Sequence, residues 1–496
     1  MSMNPMAETP PSEYSCLPRS RGLFYAGDWH EPLSATYRET LNPANGLPVA
    51  SVAHASADDA EAAIERAHEA WLDWRGTAPA KRQRMLHEAA SLLREHAEEF
   101  AMIDAINTGN PVAEMVGDAM VAADSLDFFA GLVPMLKGET IPVDGNSLHY
   151  SLREPLGVVA RIVAYNHPLM FAAGKVAAPL AAGNTVIVKP PPEQAPLSCL
   201  RLAEVLRDVF PPGVLNILPG GRECGQTLAS HPLVKKVTLI GSVNTGRAIL
   251  RGAADTIKPT LLELGGKNAL IAFPDADIKA LIHGIARGMN FTWAGQSCGS
   301  TSRVFLHDSI HDQVLESVAT YVRETYVPGV PTDAATTMGP LISAQRRDEV
   351  MDFIASATRE GARLVTGGKA PDTPELRGGY YIEPTIFSDV TASMRIAREE
   401  IFGPVMSVFR WKDEEELFKV VNGTEFGLTA SIWTSALSTA HRAASRVEAG
   451  YVWINQTSRH YLGVPFGGVK HSGLGREECL EELLDFTATK SINIQL

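Results

Sequence analysis

Two features that would mark other classes of protein are missing from this sequence of 496 residues. No uncharged apolar run approaches the roughly 18 residues of a membrane-spanning helix, and the most apolar region, 156–188, contains Arg161, His167 and Lys175. Basic residues are in deficit, because 44 lysines and arginines stand against 57 acidic residues, for a formal net charge of −13. Nucleic acids and anionic membranes attract basic surfaces, so we expect neither as a partner, and a small-molecule substrate instead.

Cysteine is scarce as well, and its spacing matches neither zinc ligands nor a disulfide framework. The sequence has five cysteines, which lie far apart: Cys16, Cys199, Cys224, Cys298 and Cys479. We therefore expect no metal site, and a reducing compartment, the cytoplasm. Residues 1–20 are rich in proline and lack an early basic group and an apolar segment, so we expect a flexible tail there rather than a targeting signal.

The chain that follows shows the pattern of an α/β protein. Amphipathic helical segments at 58–74, 81–100 and 114–129 precede a region, 158–253, in which short apolar stretches alternate with helical ones. A second alternating region begins after the segment 264–268. Such alternation predicts βα units on parallel sheets, with ligands at the carboxyl ends of the strands, and the length allows about three domain-sized units.

Two glycine-bearing turns follow successive strands of the first region. One is Gly220-Gly221 with Gly225, and the other is Gly241-Ser242 with Gly246. Neither has the spacing G-x-G-x-x-G, and each taken alone is equally compatible with a plain tight turn. Because they recur after neighbouring strands, they favour a dinucleotide site in which helix N-termini receive the phosphates.

Cys298 is the candidate nucleophile. It stands between Ser297 and Gly299, after Gly295 and Gln296, so the backbone can turn sharply there and expose a thiol. A lone cysteine is more often a buried small hydrophobe, but such a cysteine usually sits in an apolar periodic segment. A thiol among glycine, serine and glutamine, with backbone donors beside it, suits covalent catalysis with a stabilised oxyanion.

Four separated pieces carry a resemblance to a known family: Asn166 in AYNHP, Lys189 in VIVKP, Glu263 in LLELGGKN and Cys298 in GQSCGS. Three further pieces match in order and spacing: GSVNTG at 241–246, EEIFGPV at 399–405 and PFGGVKHSGLGRE at 465–477. Together they resemble the NAD(P)-dependent aldehyde dehydrogenase superfamily over nearly the whole chain, from about Gly27 to Ile494. The resemblance is to the hydrolytic, non-acylating branch.

The resemblance implies a fold of two doubly wound α/β domains with a small β extension. A Rossmann-like dinucleotide-binding domain would comprise 21–135 and 156–265, and the catalytic domain 266–477. The oligomerisation extension would comprise 136–155 and 478–496, whose polar strands look like edges that invite pairing. We therefore expect a homodimer or a homotetramer.

The implied reaction oxidises an aldehyde to its carboxylic acid. The Cys298 thiolate attacks the carbonyl carbon, while the Asn166 amide and the Cys298 backbone N–H hold the oxyanion. Hydride leaves for the nicotinamide, and Glu263 activates the water that hydrolyses the thioester. An amide suits the oxyanion because it donates without titrating, and a buried carboxylate with a raised pKa suits the base.

The resemblance also assigns a cofactor set. Lys189 would bind the adenosine ribose, Ser242 the pyrophosphate, and Glu400 with Phe402 the nicotinamide riboside. The full set is Lys189, Glu193, Gly221, Gly225, Gly241, Ser242, Leu264, Glu400 and Phe402. The family commonly reads K-P-x-E, whereas this chain reads KPPPE, which shifts Glu193 by one residue. An acid near the ribose 2′ position still favours NAD on charge grounds, with NADP an alternative.

The substrate tunnel should differ from the family pattern, in which the box P-W-N-F-P is common and here reads AYNHP. Gly174 also stands where a bulky aromatic is frequent. The implied lining is His167, Met170, Phe171, Gly174, Thr292, Ser297, Gly299, His460 and Phe466. Two histidines, with Arg459 nearby, predict a mouth more polar than one built for plain alkanals.

Two other functions remain open at this stage. A coenzyme A-acylating relative would pass the thioester to a thiol, and such enzymes typically lack the glutamate that Glu263 supplies. A non-catalytic binding protein on the same scaffold would be expected to have lost the nucleophile or the base. Because Cys298 and Glu263 are both present, the sequence favours the hydrolytic enzyme.

Overall fold

The computed structural model describes residues 15–191 and 193–496. Most of the tail predicted for 1–20 therefore lies outside the described residues. The part within them is packed, because Leu17 is buried in a core cluster and the backbone N–H of Ser20 donates to Glu204. No helix of the described part is long and apolar enough to cross a membrane.

Helices and strands alternate along the described residues, as the sequence pattern predicts. The helices are α1 Ala57–Trp74, α2 Pro79–Glu95, α3 Ala97–Thr108, α4 Val112–Leu132, α5 Ala177–Ala181, α6 Leu197–Leu206, α7 Arg222–Ser230, α8 Val243–Ala254, α9 Ile278–Gly288, α10 His311–Thr325, α11 Ala344–Arg359, α12 Arg395–Arg398, α13 Glu414–Asn422, α14 Leu437–Arg446 and α15 Leu480–Asp485. Shorter helical turns are the 3₁₀ turns Val133–Met135, Phe291–Trp293 and Pro374–Leu376 and the π-helical turn Met170–Gly174.

The strands of the described residues form three main sheets and two small ones. The strands are β1 Leu23–Tyr25, β2 Asp28–His30, β3 Tyr37–Asn42, β4 Leu47–Ala53, β5 Thr140–Ile141, β6 Ser147–Pro155, β7 Val158–Ile162, β8 Thr185–Lys189, β9 Leu215–Ile217, β10 Val234–Ile240, β11 Thr260–Glu263, β12 Ala269–Ala272, β13 Arg303–His307, β14 Arg363–Thr366, β15 Thr385–Ser388, β16 Val405–Trp411, β17 Phe426–Gly427, β18 Thr429–Trp433, β19 Tyr451–Ile454, β20 Val469–Lys470, β21 Gly473–Leu474 and β22 Thr487–Gln495.

The first sheet has the order β2-β1-β9-β8-β7-β10-β11-β21, and its central strands β9 to β11 are parallel. The second has the order β14-β15-β16-β13-β12-β18-β19 and is parallel except at β14. The predicted α/β class with parallel sheets is confirmed. Strand β21 joins the first sheet although its residues fall in the range predicted for the second domain.

Both large sheets are covered on both faces. Successive residues of one strand enter opposite core clusters: Val159 of β7 packs in one, and Val158 and Ala160 pack in the other. In the second sheet Ile271 and Leu270 of β12 divide in the same way. Burial on both faces explains why these strands are mostly apolar rather than alternating.

The chain passes from the first sheet to the second directly at the candidate site. Strand β11 ends at Glu263, β12 begins at Ala269, and the five residues between them form the crossing. In a parallel sheet the carboxyl ends of neighbouring strands meet at one edge, so β7, β10 and β11 deliver their following loops to the same place.

The third sheet joins the two segments predicted as an extension. Strand β22 pairs antiparallel with β6 along its whole length, from Thr487 opposite Pro155 to Gln495 opposite Ser147, and β5 lies on the other side of β6. The polar strand β22 therefore pairs along one edge with β6 of the same chain.

Candidate active site

Cys298 lies in the loop between the turn Phe291–Trp293 and β13. The backbone turns sharply there, with left-handed φ angles at Asn290 (55°), Ala294 (51°) and Gly295 (68°). At Gly295 a Cβ would stand 2.2 Å from the carbonyl oxygen of Gly403, so only glycine fits. The half-buried Cys298 packs against a small aromatic cluster that includes Phe466.

Asn268 supports this loop, and sequence reasoning missed it. Its side-chain Nδ2 donates to the carbonyl oxygens of Cys298 (2.7 Å) and Ser300 (3.0 Å). Its Oδ1 accepts from the backbone N–H of Thr429 at 3.0 Å. Asn268 is the last residue of the motif LELGGKN, in which Glu263 and Leu264 were predicted to be functional but Asn268 was not. The motif therefore indicates that this segment belongs to the site, but not that Asn268 contacts the Cys298 loop.

Asn166, which follows β7, is brought to the same loop. Its Nδ2 donates to the carbonyl oxygen of Gln296 at 3.0 Å, and its own carbonyl oxygen accepts from Nδ2 of Asn110 at 2.8 Å. A side-chain amide has two N–H donors, and the bond to Gln296 uses one of them. The second N–H makes no hydrogen bond to the described residues and is available to a ligand.

Glu263 is buried at the end of β11, and its Oε1 has no hydrogen-bond partner among the described residues. Burial raises the pKa of this carboxyl to about 8, and the charges of Glu477 and Glu400 add to that effect. The Cys298 thiol opposes it through direct interaction with the carboxyl. Burial and the Glu263 charge in turn raise the pKa of Cys298 well above its usual range.

The three candidate catalytic residues open onto one cavity of about 320 Å³. Its lining comes from both sheets and from α11: Ala164, Tyr165, Asn166, Gln194, Ile240, Gly241, Ser242, Glu263, Leu264, Gly265, Cys298, Ile342, Ser343, Gln345, Arg346, Glu349, Glu400 and Phe402. Five residues of the predicted cofactor set belong to this lining: Gly241, Ser242, Leu264, Glu400 and Phe402.

Ser242 caps the start of α8, where its Oγ accepts from the backbone N–H of Thr245 at 3.2 Å. Ser242 itself lines the cavity, so the N-terminus of α8 borders it, which suits an anionic ligand. Glu400 also lines the cavity, and its Oε1 accepts from the backbone N–H of Gly266 at 2.9 Å. Burial raises the pKa of Glu400 to about 7.

The other four predicted cofactor residues lie outside this cavity. Lys189 is buried at the end of β8, and its Cε stands 3.3 Å from where a Cβ on Gly225 would be, so the glycine leaves room for the lysine. Gly221 is the residue that precedes α7. Glu193 is exposed and pairs with Arg38 of β3 at 3.4 Å.

None of the nine predicted substrate residues lines the cavity. Met170, Phe171 and Gly174 form the π-helical turn, and a Cβ on Gly174 would point at α4, 3.4 Å from Cα of Ala122. Thr292 lies in the 3₁₀ turn before Cys298, and its carbonyl oxygen accepts from Gly339.

The remaining five predicted substrate residues lie in three places. Ser297 and Gly299 are the neighbours of Cys298, and the Gly299 carbonyl accepts from Thr429 at 3.4 Å. The rings of His460 and Phe466 stand 4.3 Å apart, and Phe466 belongs to the cluster that packs on Cys298. His167 is buried and contacts α4.

Helix α11 supplies lining residues that no motif indicated. Arg346 and Glu349, one helical turn apart, form an ion pair of 2.6 Å, and Arg346 also donates to the backbone of Ile401. The sequence predicts this helix from its periodicity but not its position. Its residues line the cavity because the helix packs on the second sheet.

Comparison with known proteins agrees with the motifs. The profile of the "Aldehyde dehydrogenase family" matches residues 29–492. An aldehyde dehydrogenase, tropH, of Talaromyces stipitatus is 59% identical over 494 residues, 98% of this chain and 95% of that protein. A betaine aldehyde dehydrogenase of Brucella melitensis is 40% identical, with 96% of each chain covered.

Among solved structures, PnpE in complex with nicotinamide adenine dinucleotide superposes with a TM-score of 0.93 at 39% identity, covering 96% of this chain and 97% of that one. The superposition covers nearly the whole of both chains, so no large part of the described residues has a different fold. The chain therefore belongs to the aldehyde dehydrogenase family, the family of NAD(P)-dependent enzymes that its motifs predicted.

Proposed function

We propose that this protein oxidises an aldehyde to the carboxylic acid, with NAD as the favoured hydride acceptor, and hydrolyses its own thioester. One observation carries the proposal. The thiol of Cys298, the carboxyl of Glu263 and the amide of Asn166 share a cavity that continues to Ser242 at the start of α8. The relatives that are named aldehyde dehydrogenases, and the NAD complex of PnpE, support it.

In the first step Cys298 loses its proton and attacks the aldehyde carbon, forming a C–S bond. Glu263 interacts with this thiol and is the base within reach. The carbonyl oxygen becomes an oxyanion, which accepts hydrogen bonds from the free N–H of Asn166 and from the backbone of Cys298. The product is a thiohemiacetal on Cys298.

Bound NAD(P) supplies the acceptor for the hydride that leaves the thiohemiacetal carbon. The residues present fit such a group, since Ser242 and the first turn of α8 suit a pyrophosphate and the glycine at 225 leaves space beside Lys189. Glu400 and Phe402 would hold the nicotinamide riboside.

A thioester on Cys298 then remains. Glu263 first releases to solvent the proton that it took from Cys298, and then removes a proton from the water that attacks the thioester and passes it to the departing sulfur. The acid leaves, and the Cys298 thiol is regenerated. A buried carboxyl with a raised pKa suits this role because its ionised form is a stronger base than an ordinary carboxylate. Transfer to coenzyme A is the second candidate, but that reaction would leave Glu263 without its role in activating the deacylating water.

An initial-rate assay tests the function. The purified protein should reduce NAD when given an aldehyde in the absence of coenzyme A, as followed by nicotinamide absorbance. Rates should be recorded with aliphatic, aromatic, amino and acidic aldehydes. An absolute requirement for coenzyme A, or no reduction with any aldehyde, would contradict the proposal.

The pH dependence of turnover follows from Glu263, which acts as a base only when it has lost its proton. With a pKa of about 8, the carboxyl is mostly protonated at pH 6 and mostly ionised at pH 9. We expect kcat to rise over that range with an apparent pKa near 8, and this inflection to vanish in Glu263→Gln. Because Glu263 and Cys298 interact, the apparent value belongs to the pair. A kcat that falls between pH 6 and 8 would argue against Glu263 as the base.

The preference for NAD depends on the exposed pair of Glu193 and Arg38. We propose that the Glu193 carboxylate lies near the ribose 2′ position and disfavours the 2′-phosphate of NADP, while Arg38 partly offsets this charge. Glu193→Gln should then raise kcat/KM for NADP relative to NAD by about tenfold, and Arg38→Gln should lower it. A ratio that neither variant changes would place this pair away from the ribose.

We also propose that the sheet β22-β6-β5 is the surface through which two or four subunits associate. Apolar side chains are exposed on it, among them Leu148, Leu152 and Ile494. A monomer in sedimentation equilibrium at micromolar concentration would contradict this. The cytoplasm remains the proposed compartment, on the basis of the five scattered cysteines.

A further inference from the structure

A buried asparagine, Asn268, joins the loop of Cys298 to the second sheet. It directly precedes β12 and is 3% exposed. Its backbone carbonyl oxygen accepts from the N–H of Arg303, the first residue of β13, at 3.1 Å. Its side-chain Oδ1 accepts from the N–H of Thr429, the first residue of β18, at 3.0 Å. Because β13 and β18 are the two neighbours of β12 in the sheet, Asn268 is held from both sides.

The amide of Asn268 uses both of its N–H donors on the Cys298 loop. Nδ2 donates to the carbonyl oxygens of Cys298 and Ser300, at 2.7 and 3.0 Å. These partners also fix which way the amide faces. A reversed amide would set its oxygen against two carbonyl oxygens and its nitrogen against the N–H of Thr429. The rigid edge of the sheet therefore reaches the loop through one fully bonded side chain.

Gly266 leaves the space in which this contact forms. A Cβ at position 266 would stand 2.4 Å from the carbonyl oxygen of Cys298, and 2.7 and 2.8 Å from the terminal atoms of the Asn268 side chain. Real Cβ atoms do not approach other atoms so closely. The hydrogen bond from Asn268 to Cys298 thus requires glycine at position 266.

The peptide that Asn268 holds also faces the thiol. The peptide between Cys298 and Gly299 is trans and planar, so its C=O and its N–H point in opposite directions. Asn268 bonds the C=O, and the N–H on the other side is that of Gly299. Burial and the charges of Glu263 and Glu400 raise the pKa of the Cys298 thiol, and the Gly299 N–H opposes them through a hydrogen bond.

A hydrogen bond to one end of a peptide strengthens the other end. A C=O that accepts a bond polarises the peptide, which makes its N–H a better donor. An N–H directed at sulfur stabilises the negatively charged thiolate more than the neutral thiol, because bonds to charged acceptors are the stronger ones. The Asn268 amide therefore both orients and polarises the donor that Cys298 needs when it loses its proton.

We propose that Asn268 is a positioning residue, which holds the Cys298–Gly299 peptide so that the Gly299 N–H stays directed at the Cys298 thiolate. The inference rests on the proposed function, in which Cys298 is the nucleophile. Asn268 does not line the cavity and acts only through this peptide. Without the amide, the carbonyl of Cys298 is free to turn, the N–H turns with it, and the thiolate loses its donor.

The test measures alkylation of Cys298 by iodoacetamide between pH 6 and 9.5, without aldehyde or NAD. Mass spectrometry of the peptide that contains Cys298 separates this thiol from the other four. In Asn268→Ala the pKa of the thiol should rise further and the thiolate fraction should fall. A more basic thiolate is also more nucleophilic, which offsets part of the loss, so we expect alkylation to be slower by about three- to tenfold. The hydride burst should slow similarly, and KM for NAD should stay within about twofold.

Asn216→Ala is the matched control. Asn216 is fully buried, its Nδ2 donates to the carbonyl oxygens of Val186 and Gly213, and its Oδ1 accepts from the N–H of Ala26. The variant removes the same three kinds of hydrogen bond as Asn268→Ala, but away from the cavity. It should lower the melting temperature comparably and leave alkylation of Cys298 unchanged.

Two further variants separate this peptide from the loop as a whole. Thr429→Val removes the Oγ1 bond to the Gly299 carbonyl, 3.4 Å long, but keeps the backbone N–H that holds Asn268. It loosens the next peptide only and should keep alkylation within about twofold of wild type. Asn268→Ser retains one hydroxyl donor and should fall between wild type and Asn268→Ala. It also carries the test if Asn268→Ala does not fold.

Two outcomes would overturn the inference. One is alkylation of Cys298 at the wild-type rate in both Asn268→Ala and Asn268→Ser. The other is an equal slowing in Asn216→Ala or in Thr429→Val, which would trace the effect to a general loosening of the structure. Neither outcome bears on the proposed function, because alkylation needs no substrate. Failure of that function would show separately, as aldehyde oxidation that survives in Cys298→Ala.

Discussion

Replacement of Cys298 by alanine is expected to abolish aldehyde oxidation, with kcat lowered by roughly 10⁴-fold or more. The thiol forms the bond to the substrate carbon, and in the part of the chain that the structure describes no other thiol lines the cavity. Asn268 and Gly266 fix the backbone of the loop, so the loop should keep its shape in the variant. The measurement is the steady-state rate of nicotinamide reduction, with the melting temperature as a check on folding.

Cys479→Ala is the matched control, because this cysteine is fully buried and lies outside the cavity. It should keep kcat within a few-fold of wild type, and we expect the same of Cys16→Ala. If Cys298→Ala retained about a tenth of the wild-type kcat, the assignment of the nucleophile would have to be withdrawn.

The second large effect is expected for Glu263→Gln, which preserves size and hydrogen bonding but removes the base. Steady-state turnover should fall by about 10²- to 10⁴-fold, because the thioester on Cys298 then waits for an unactivated water. Reduced nicotinamide should first appear in a burst of about one equivalent per active subunit. The burst would be smaller to the extent that Glu263 also deprotonates Cys298, with which it interacts. Rapid mixing with absorbance detection measures both phases.

Glu204→Gln serves as a control for this variant, since Glu204 pairs with Arg201 on α6 and does not line the cavity. It should turn over like the wild type. Turnover of Glu263→Gln within a few-fold of wild type would rule out the hydrolytic mechanism as written, and so would a dependence of the wild type on coenzyme A.

Several elements could be predicted because their signals are local. The buried strands β7 and β8 are mostly apolar, and the turns at Gly221 and Ser242 mark the starts of α7 and α8. The family followed from motifs whose residues are close in sequence, and the comparisons confirm it. The domain boundaries and the roles of individual site residues stay predictions.

Other parts depend on contacts between residues far apart in the chain. Asn268 reaches Cys298 across 30 positions, and Asp118 reaches His167 across 49. Neither Asn268 nor Asp118 belongs to a sequence pattern that predicts its contact. An isolated asparagine or aspartate is ordinarily interpreted as a helix cap or as a residue exposed to solvent. Glu193, expected at the ribose, proves to be paired with Arg38 of β3, 155 positions earlier in the chain.

The sequence by itself determined the class of fold, the family and the candidate nucleophile, because periodicity, glycine turns and short motifs act over a few residues. The tertiary structure alone decided which side chains share the cavity, how the carboxyl of Glu263 acquires a pKa of about 8, and what faces His167. These properties arise from burial and from charges on separate elements. Neither exists until the two sheets and helices α4 and α11 have packed together.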